Sequence, residues 1–287
     1  MNSNRISIYI FILLAIIIFS CHHKNENTPY DYSNHTTKIL GHRGYGIKDY
    51  NDTVMDNTLE AIIKAIKIAD GVEIDIQMSK NETIWLYHDT RIPDRDSNIK
   101  YIPRLTNDEV QSILSLNHPN AQFNNLQEFF SYFDNHKITK TISLDIKSFY
   151  GENCFKNTNE LNSYMLIIGE RVIKLAKTYS LEDQILVETD SKYLLDFINT
   201  NSSIKTFLLG YSDFKKQLET ARKNNYSGVS HFFNDPEINA KSIENAQKSG
   251  IQIQLWTPNS EDELETVLLY QPNFLQTDNI HYFENNL

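Results

Sequence analysis

The chain has 287 residues, of which 37 are acidic and 27 are basic, so its formal net charge is −10. Net acidity argues against nucleic acid as a partner. It would also repel an anionic substrate, so a bound cation and local basic groups are needed wherever such a substrate reacts.

The N-terminal residues have the pattern of an export signal. Arg5 is followed by an almost wholly apolar run from Ile6 to Phe19, which is shorter than the about 20 residues of a membrane span and suits a signal peptide. The following Ser20 and Cys21 resemble a bacterial lipobox, so we expect a signal peptide over 1–20 and a lipid on Cys21. An uncleaved N-terminal anchor is the alternative, and either outcome tethers the chain to a membrane.

The remainder of the chain divides into a linker and one large domain. Polar residues over 21–37 predict a flexible linker, and 38–287 is long enough for a single core. Cys154 is the only other cysteine, so the processed chain has no intramolecular disulfide. We therefore expect an exported, membrane-anchored lipoprotein of the bacterial cell envelope.

Short β-branched runs alternate with longer segments of helical period, and this alternation is typical of a parallel α/β fold. We predict nine strands, at Ile39–His42, Val72–Gln77, Ile84–His88, Thr141–Lys147, Ile185–Thr189, Ile204–Leu209, Gly228–Phe232, Gln252–Thr257 and Phe274–Thr277. We predict helices between most of them, at Thr58–Ala69, Leu126–Asn135, Asn162–Tyr179, Lys192–Thr200, Asp213–Asn224, Pro236–Ser249 and Glu261–Tyr270.

The second and third predicted strands are separated only by Met78–Thr83, which is too short for a parallel crossover. We expect an antiparallel hairpin of Val72–Gln77 with Ile84–His88, which leaves eight parallel strands. Eight strand–helix units in about 250 residues predict a (β/α)8 TIM barrel, with a long insertion before the strand Thr141–Lys147. A doubly wound open sheet is the alternative, but no Gly-x-Gly-x-x-Gly follows the first strand to support it.

The register of this hairpin decides where His88 points. If the turn centres on Lys80 and Asn81, paired residue numbers sum to about 161, and His88 lies opposite Glu73 with Asp75 diagonally adjacent. A sum of about 163 would place His88 opposite Asp75. A shift by one residue would send His88 to the other face.

Candidate reactive side chains are concentrated in five short motifs, which are Gly41-His42-Arg43-Gly44, Asn57-Thr58, Glu73-Ile74-Asp75, His88-Asp89 and Asp145-Ile146-Lys147. They supply imidazoles, carboxylates, a guanidinium and an ammonium, which metal-assisted attack on a phosphodiester requires. Several of them end predicted strands, where TIM barrels carry their chemistry. We therefore expect one site at that mouth.

Together with Trp256-Thr257 and Thr277-Asp278, these motifs resemble those of the glycerophosphodiester phosphodiesterase family and occur in the same order along the chain. Two positions depart from the family pattern, because Met55-Asp56 replaces Pro-Glu and Asp145 replaces Glu. An aspartate is one methylene shorter, so its oxygen must be brought closer by the backbone or reach a metal through water. Sphingomyelinase D enzymes are related, and they use Asp-x-Lys at this place.

The resemblance implies the reacting groups. Glu73, Asp75 and Asp145 would hold one Ca²⁺ or Mg²⁺, because hard cations take oxygen ligands. Capping of strands or pairing with a lysine is the alternative role for these acids. His42 and His88 would divide the general acid and general base roles, and the sequence does not assign either role to one of them.

The resemblance also implies the groups that bind substrate. Arg43 and Lys147 would stabilise the phosphoryl oxygens, although a solvated surface charge is the alternative for Arg43. Trp256 would form an apolar wall against the glycerol or the alcohol, or else pack in the barrel core. Asn57 lies in the polar loop before a helix and would contact substrate or serve as a structural cap.

Two strand-end residues are weaker candidates for the site, and two long segments between predicted elements flank it. Glu188 and His231 end strands near the predicted mouth. Asp89–Lys140 contains a capping box at Thr106-x-x-Glu109 that predicts a short helix. Ser148–Leu161 is polar and follows the Lys147 strand, so we expect it to act as a lid or substrate selector.

These features predict a metal-dependent hydrolase that converts small glycerophosphodiesters to sn-glycerol 3-phosphate and an alcohol. A phospholipase D-type or sphingomyelinase D-type enzyme acting on intact lipid is the alternative within the same fold. A non-catalytic surface binding lipoprotein is a second alternative, because the altered Asp56 and Asp145 could reflect a decayed site.

Overall fold

The computed structural model describes residues 36–46, 54–149 and 151–284. The expected signal peptide over 1–20, the expected lipidation site Cys21 and nearly all of the expected linker lie outside these residues. Within the described part of the chain, no helix combines the length and the apolar character that a membrane crossing needs.

The described residues form eleven strands, which are β1 (Lys38–Gly41), β2 (Gly71–Met78), β3 (Ile84–Leu86), β4 (Ile92–Pro93), β5 (Ile99–Lys100), β6 (Thr141–Ile146), β7 (Ile185–Thr189), β8 (Lys205–Gly210), β9 (Gly228–Phe232), β10 (Gln252–Trp256) and β11 (Phe274–Thr277). Eight of them are parallel and run in the order β1-β11-β10-β9-β8-β7-β6-β2. Because β1 also pairs with β2, the sheet closes. The predicted TIM barrel is confirmed.

Nine helices occur in the described ranges, and most of them follow barrel strands. They are α1 (Leu59–Ala65), α2 (Asn107–Asn117), α3 (Leu126–Asn135), α4 (Thr158–Thr178), α5 (Lys192–Asn201), α6 (Phe214–Lys223), α7 (Ala240–Lys248), α8 (Glu261–Leu269) and α9 (His281–Glu284). The first eight begin at a Ser, Thr, Asn or Asp whose side chain accepts a backbone N–H, a contact that contributes about 1 kcal/mol. The predicted capping box at Thr106 and Glu109 is among them.

Side chains fill the barrel interior in layers. The lower layer is apolar and consists of Leu40, Leu186, Phe207 and Phe274. Burial of each such side chain contributes about 1.5 to 3 kcal/mol. One step toward the carboxyl ends of the strands the interior becomes polar, with buried Ser143, Glu188, Ser230, Gln254 and Gln276. The polar layer lies directly below the mouth.

The predicted hairpin forms, but its second strand and its register differ from expectation. β3 ends at Leu86 instead of His88, and Ile76 pairs with Leu86, Gln77 with Trp85. This register lies between the two expected ones, so continuing the ladder would have sent His88 to the other face. The chain leaves the ladder after Leu86, so strand alternation does not govern His88.

An insertion with its own small core connects β3 to β6. It contains the β4–β5 ribbon, α2 and α3. Its apolar cluster consists of Trp85, Tyr87, Ile92, Ile102, Leu105, Val110, Leu114 and Phe123. The predicted insertion is therefore present. Beyond β6, α4 begins at Thr158 instead of the predicted Asn162, which shortens the loop after β6.

Candidate active site

The carboxyl ends of the barrel strands surround a cavity of about 210 Å³. Eight residues singled out in the sequence line it, namely His42, Arg43, Glu73, Asp75, His88, Asp145, Lys147 and Trp256. The second-rank candidate Glu188 lines the cavity as well. Thr257, which belongs to the Trp256-Thr257 motif, also lines the cavity, and Leu209, Tyr211 and Gln276, which the sequence did not single out, complete the wall.

Three carboxylates form a compact acidic cluster. One oxygen from each of Glu73, Asp75 and Asp145 lies within 4.8 Å of the others. Strand pairing explains this, because Asp75 and Asp145 are register partners on β2 and β6, and Glu73 lies two residues before Asp75 on the same face. Carboxylate oxygens at this spacing suit Ca²⁺ or Mg²⁺, so the donor set fits a divalent cation.

Burial and mutual repulsion shape the titration of this cluster. Burial raises the pKa of Glu73, and the nearby charges of Asp75 and Glu188 raise it further. Burial also raises the pKa of Asp145, and Lys147 offsets only part of that effect. The pKa of Asp75 lies below its usual range, because Lys147 and other nearby cations outweigh the opposing effect of burial. Proximity of these acids is therefore costly without a cation.

Lys147 bridges two members of the cluster. Its Nζ lies 2.6 Å from Asp75 Oδ1 and 2.6 Å from Asp145 Oδ2. Burial alone would lower the pKa of Lys147, but the two carboxylates raise it above its usual range. Lys147 therefore remains an ammonium at neutral pH and places a positive charge in the cavity.

The turn after β1 places Arg43 beside the cluster. The backbone N–H of Arg43 donates to Glu73 Oε2 (2.9 Å), and its guanidinium lies 3.4 Å from Asp56 and 3.6 Å from Asp75. Its Nε is buried and makes no hydrogen bond to the described residues. Gly44, with φ of +91°, allows the tight turn, and its N–H donates to the Glu73 carbonyl. The guanidinium therefore has a donor to offer an anion.

His42 is oriented by a carboxylate from the last barrel strand's loop. Its Nδ1 lies 2.7 Å from Asp278 Oδ1, and its Nε2 lies 3.7 Å from Glu73 Oε2. Asn259 Nδ2 donates to the other oxygen of Asp278 (2.7 Å). Burial would raise the pKa of Asp278, but the hydrogen bond with His42 lowers it below its usual value. The sequence analysis included Asp278 in the Thr277-Asp278 motif but assigned no role to its carboxylate.

His88 reaches the cavity from the loop that follows β3. The side-chain amide of Gln77 donates to the carbonyls of Tyr87, His88 and Asp89 at 2.9, 3.2 and 3.1 Å. The backbone N–H of Tyr87 donates to the Asp75 carbonyl (3.0 Å). These bonds hold the loop against β2, and His88 Nδ1 lies 2.7 Å from Asp89 Oδ1. Gln77 was not singled out in the sequence. The only signal was its position two residues after Asp75, which places both side chains on the same face of the strand.

Asn57 lies beneath the cluster and contacts Asp75 twice. Its Nδ2 donates to Asp75 Oδ2 (2.8 Å), and its Oδ1 accepts the backbone N–H of Asp75 (2.9 Å). Its side chain is buried, and its φ is +55°. Asn57 is placed to position Asp75. The helix N-cap expected as its alternative role is filled by Thr58.

Aromatic side chains border one side of the cavity. Trp256 packs against Tyr211 and Phe232, with ring centroids 5.1 and 5.3 Å apart. Tyr211 is 64% exposed, so this wall faces the solvent-filled entrance instead of the barrel core. Tyr211 directly follows β8, a position at the mouth that could have identified it from the sequence.

His231 lies away from the cavity. It is buried, with Nδ1 2.5 Å from Gln217 Oε1 and Nε2 3.0 Å from Asp235 Oδ2. Gln217 belongs to α6, so the imidazole packs between the barrel wall and that helix. Burial lowers the pKa of His231 despite the nearby carboxylate. Both ring nitrogens have hydrogen-bond partners, so His231 has a structural role.

The insertion and the loop after β6 meet beside the mouth. Arg91 Nε donates to Glu152 Oε2 (2.7 Å), and Arg104 Nε donates to the Cys154 carbonyl (2.6 Å). Phe149 is buried and packs against Phe155 and Tyr164. This aromatic group therefore packs the rim of the barrel.

The chain resembles known phosphodiesterases in sequence and in structure. Residues 42–282 match the model of the glycerophosphoryl diester phosphodiesterase family. A glycerophosphodiester phosphodiesterase from Caldanaerobacter subterraneus subsp. tengcongensis is 23% identical over 239 residues, covering 81% of this chain and 90% of the relative.

Solved structures of low sequence identity share the fold. A glycerophosphodiester phosphodiesterase from Thermotoga maritima has a TM-score of 0.64 at 21% identity, covering 87% of this chain and 97% of its own. An Oleispira antarctica phosphodiesterase in complex with the product sn-glycerol-3-phosphate has a TM-score of 0.67 at 14% identity, covering 89% and 98%. With the family match spanning nearly all of the barrel, the chain belongs to the glycerophosphoryl diester phosphodiesterase family.

Proposed function

We propose that this phosphodiesterase hydrolyses glycerophosphodiesters to sn-glycerol 3-phosphate and an alcohol, with a divalent cation and two histidines. The observation that carries the proposal is the single cavity lined by an acidic triad, two imidazoles, a guanidinium and an ammonium. The Oleispira relative, whose bound product is sn-glycerol-3-phosphate, supports the choice of product.

Glu73, Asp75 and Asp145 are the residues that would hold the cation, either Ca²⁺ or Mg²⁺. When bound, such an ion supplies positive charge to a phosphoryl oxygen and lowers the pKa of a coordinated hydroxyl or water. Asn57 keeps Asp75 in place through two hydrogen bonds. Asp145, although shorter than the family's Glu, brings its oxygen within 4.8 Å of the other two.

Arg43 and Lys147 bind the phosphoryl group in this proposal. The Arg43 Nε lies 3.6 Å from Asp75 Oδ2 and makes no hydrogen bond to the described residues, and Lys147 lies between two carboxylates. Negative charge on the phosphoryl oxygens increases as the hydroxyl attacks phosphorus, and it passes to the leaving oxygen as the alcohol departs. Fixed cations in a buried cavity stabilise that charge more than water does.

His42 and His88 move the protons. Asp278 occupies Nδ1 of His42, so Nε2 is the nitrogen that meets substrate, and Asp89 holds Nδ1 of His88 in the same way. One imidazole removes a proton from the attacking hydroxyl, and the other protonates the leaving oxygen. The attacking hydroxyl is either water or a glycerol hydroxyl, and in the second route water then opens the cyclic ester.

An assay with glycerophosphocholine and excess Mg²⁺ or Ca²⁺ tests the proposal, with glycerol 3-phosphate measured as product. His42→Ala and His88→Ala should each lower kcat by at least about 10²-fold, because each removes a general acid or base. His136→Ala, which removes an imidazole stacked on Tyr132 outside the cavity, is the matched control. Near-normal activity of either active-site variant would contradict the assignment.

The two alternative functions give different results in the same assay. An enzyme of the sphingomyelinase D type would cleave intact lipid and leave glycerophosphodiesters unreacted. A binding protein would retain glycerophosphodiester without turnover in excess cation. Mass identification of the products from a panel of diesters and intact lipids separates these outcomes from glycerol 3-phosphate release.

Membrane attachment through a lipid on Cys21 is part of the proposal. The apolar run before Cys21 and the small residue at position 20 support it. Expression of wild type and Cys21→Ala in a bacterial host, followed by membrane fractionation, tests it. Equal retention of both proteins in the membrane fraction would favour the uncleaved anchor instead.

A further inference from the structure

Glu188 is a fourth carboxylate on the level of the acidic cluster. Asp75, Asp145 and Glu188 are register partners on the adjacent strands β2, β6 and β7. Register partners in a parallel sheet point to the same face, here the inside of the barrel. Glu188 also lines the cavity, so its carboxyl group belongs to the floor of the site.

Only neutral groups hydrogen-bond this carboxyl group. Ser143 Oγ and Gln276 Nε2 donate to Oε1 at 2.7 and 2.5 Å, and Ser230 Oγ donates to Oε2. The residue is 2% exposed, and no basic side chain of the described residues lies within ion-pair distance of it. Burying a carboxylate without a cationic partner is expensive, so a positive charge nearby would stabilise the ionised form of Glu188.

A cation held by the neighbouring acids would supply that charge. Lys147, the positive group on this side of the cavity, contacts Asp75 and Asp145. Glu188 is not among the residues whose oxygens converge within 4.8 Å, so its geometry does not make it a ligand.

We infer that Glu188 is a positioning residue of the cation site, whose buried negative charge strengthens binding of a divalent cation by Glu73, Asp75 and Asp145 without ligating it. The inference rests on the proposed function, because the cation is the one required there. Hydrogen bonds from Ser143, Ser230 and Gln276 hold the carboxylate in place.

Titration calorimetry of the purified protein with MgCl₂ and with CaCl₂ tests the inference without relying on activity. Glu188→Gln keeps the size and polarity of the side chain and removes its charge, and should weaken cation binding about 10- to 100-fold. Asp235→Asn is the matched control, because it removes a buried carboxylate that pairs with His231 outside the cavity. Its cation affinity should equal that of wild type.

A second variant separates charge from structure. Glu188→Asp keeps the charge but shortens the side chain, so it should bind cation more tightly than Glu188→Gln. A purely structural role predicts the reverse order. Without cation, Glu188→Gln should melt at or above the wild-type temperature, because a buried charge lacking a cationic partner has been removed.

The outcomes distinguish failure of the inference from failure of the proposed function. Wild-type affinity in Glu188→Gln, with binding lost in Glu73→Gln, would overturn the role of Glu188 and leave the cation site intact. Tighter binding by Glu188→Gln than by Glu188→Asp would overturn it as well. If wild type and Glu73→Gln both bound no cation, the cation site itself, and the inference with it, would be wrong.

Discussion

The two imidazoles of the site are held by carboxylates of different exposure. The side chain of Asp278 is 20% exposed and that of Asp89 is 64% exposed. A partly buried, charge-assisted hydrogen bond constrains its partner more than one in open solvent does. His42 is therefore the more firmly oriented of the two histidines, and the contact of its Nδ1 with Asp278 leaves Nε2 on the side of Glu73.

Replacing Asp278 with Asn should disrupt that orientation. The amide can donate to Nδ1 and favour the wrong tautomer of His42, so kcat should fall by about 10²- to 10⁴-fold, the range of a general acid or base. KM should change little, because Asp278 does not face the phosphoryl group. Steady-state kinetics with glycerophosphocholine measure both constants.

Glu284→Gln is the matched control for this prediction. It alters a comparable contact, between Glu284 Oε2 and His281 Nδ1 at 3.2 Å, outside the cavity. Its kcat should remain at the wild-type value. An Asp278→Asn enzyme with unchanged kcat would show that His42 needs no carboxylate partner.

The cation-free protein should become less stable as pH rises, because Glu188 loses its proton in the folded state. Burial raises the pKa of Glu188 to about 7, well above its value of about 4.3 in an unfolded chain. The folded state therefore binds the extra proton, and this contribution is complete below about pH 4 and is lost as pH rises through about 7.

Chemical denaturation of wild type and Glu188→Gln, each in EDTA, measures this effect. The difference in unfolding free energy between the variant and wild type should grow in favour of the variant from about pH 5 to about pH 8. Asp235→Asn should not reproduce this trend, since the pKa of Asp235 is lowered. A pH-independent difference for Glu188→Gln would contradict the raised pKa.

The sequence predicted the chemistry-bearing side chains better than the side chains that position them. His42 directly follows β1 and Asp145 lies near the end of β6, where the fold class alone implies a common mouth. Glu73 and Asp75 lie within β2 and share one face of it. The partnership of His42 with Asp278 joins residues 236 positions apart. No local pattern encodes such a contact, because it depends on β1 and β11 becoming neighbours when the barrel closes.

At the level of elements, the β2–β3 hairpin shows where periodicity stops being informative. The short connection Met78–Thr83 predicted the hairpin itself, but the predicted second strand extended two residues too far, to His88. The regular pairing of β3 ends at Leu86, although the N–H of Tyr87 still donates to the Asp75 carbonyl. Beyond it, the side-chain amide of Gln77 donates to the carbonyls of residues 87–89. The short β4–β5 ribbon was unpredictable for a related reason, since two-residue strands carry no period.

The loop between β1 and α1 depends on Asn57 for its attachment to β2. Asn57→Ala would leave both the N–H and the carboxylate of buried Asp75 without these partners. We expect a loss of about 2 to 4 kcal/mol in unfolding free energy, because each unsatisfied buried group costs about 1 to 3 kcal/mol. Urea denaturation measures it.

Asn225→Ala separates this effect from backbone conformation. Asn225 has the same left-handed backbone, with φ of 56°, but is exposed. Its substitution should cost only the strain of alanine in that conformation, about 1 kcal/mol. Equal losses in the two variants would mean that the Asn57 side chain adds nothing beyond its backbone preference.

At the scale of the whole molecule, barrel closure is what turns scattered residues into a site. β2, β6 and β7 contribute the four carboxylates that line the cavity, and the segments that follow β1 and β11 contribute His42 and Asp278. The alternation of strands and helices predicted this architecture because it is a property of the entire sequence. The exact layering of the polar interior was not predictable, since each layer combines residues from strands far apart in the chain.

A divalent cation should therefore stabilise the whole barrel instead of one loop. At about 100 times its dissociation constant, a ligand bound only by the folded state adds about 2.7 kcal/mol, which corresponds to a rise of about 5 to 10 °C in Tm for a domain of this size. The net charge of −10 complicates the comparison, because any salt screens repulsion among acidic groups. NaCl at matched ionic strength is thus the reference for MgCl₂ and CaCl₂ in a calorimetric melt, and Glu73→Gln should respond equally to all three salts. If NaCl raised the wild-type Tm as much as the divalent salts did, the stabilisation would be general screening and the acidic cluster would not be a cation site.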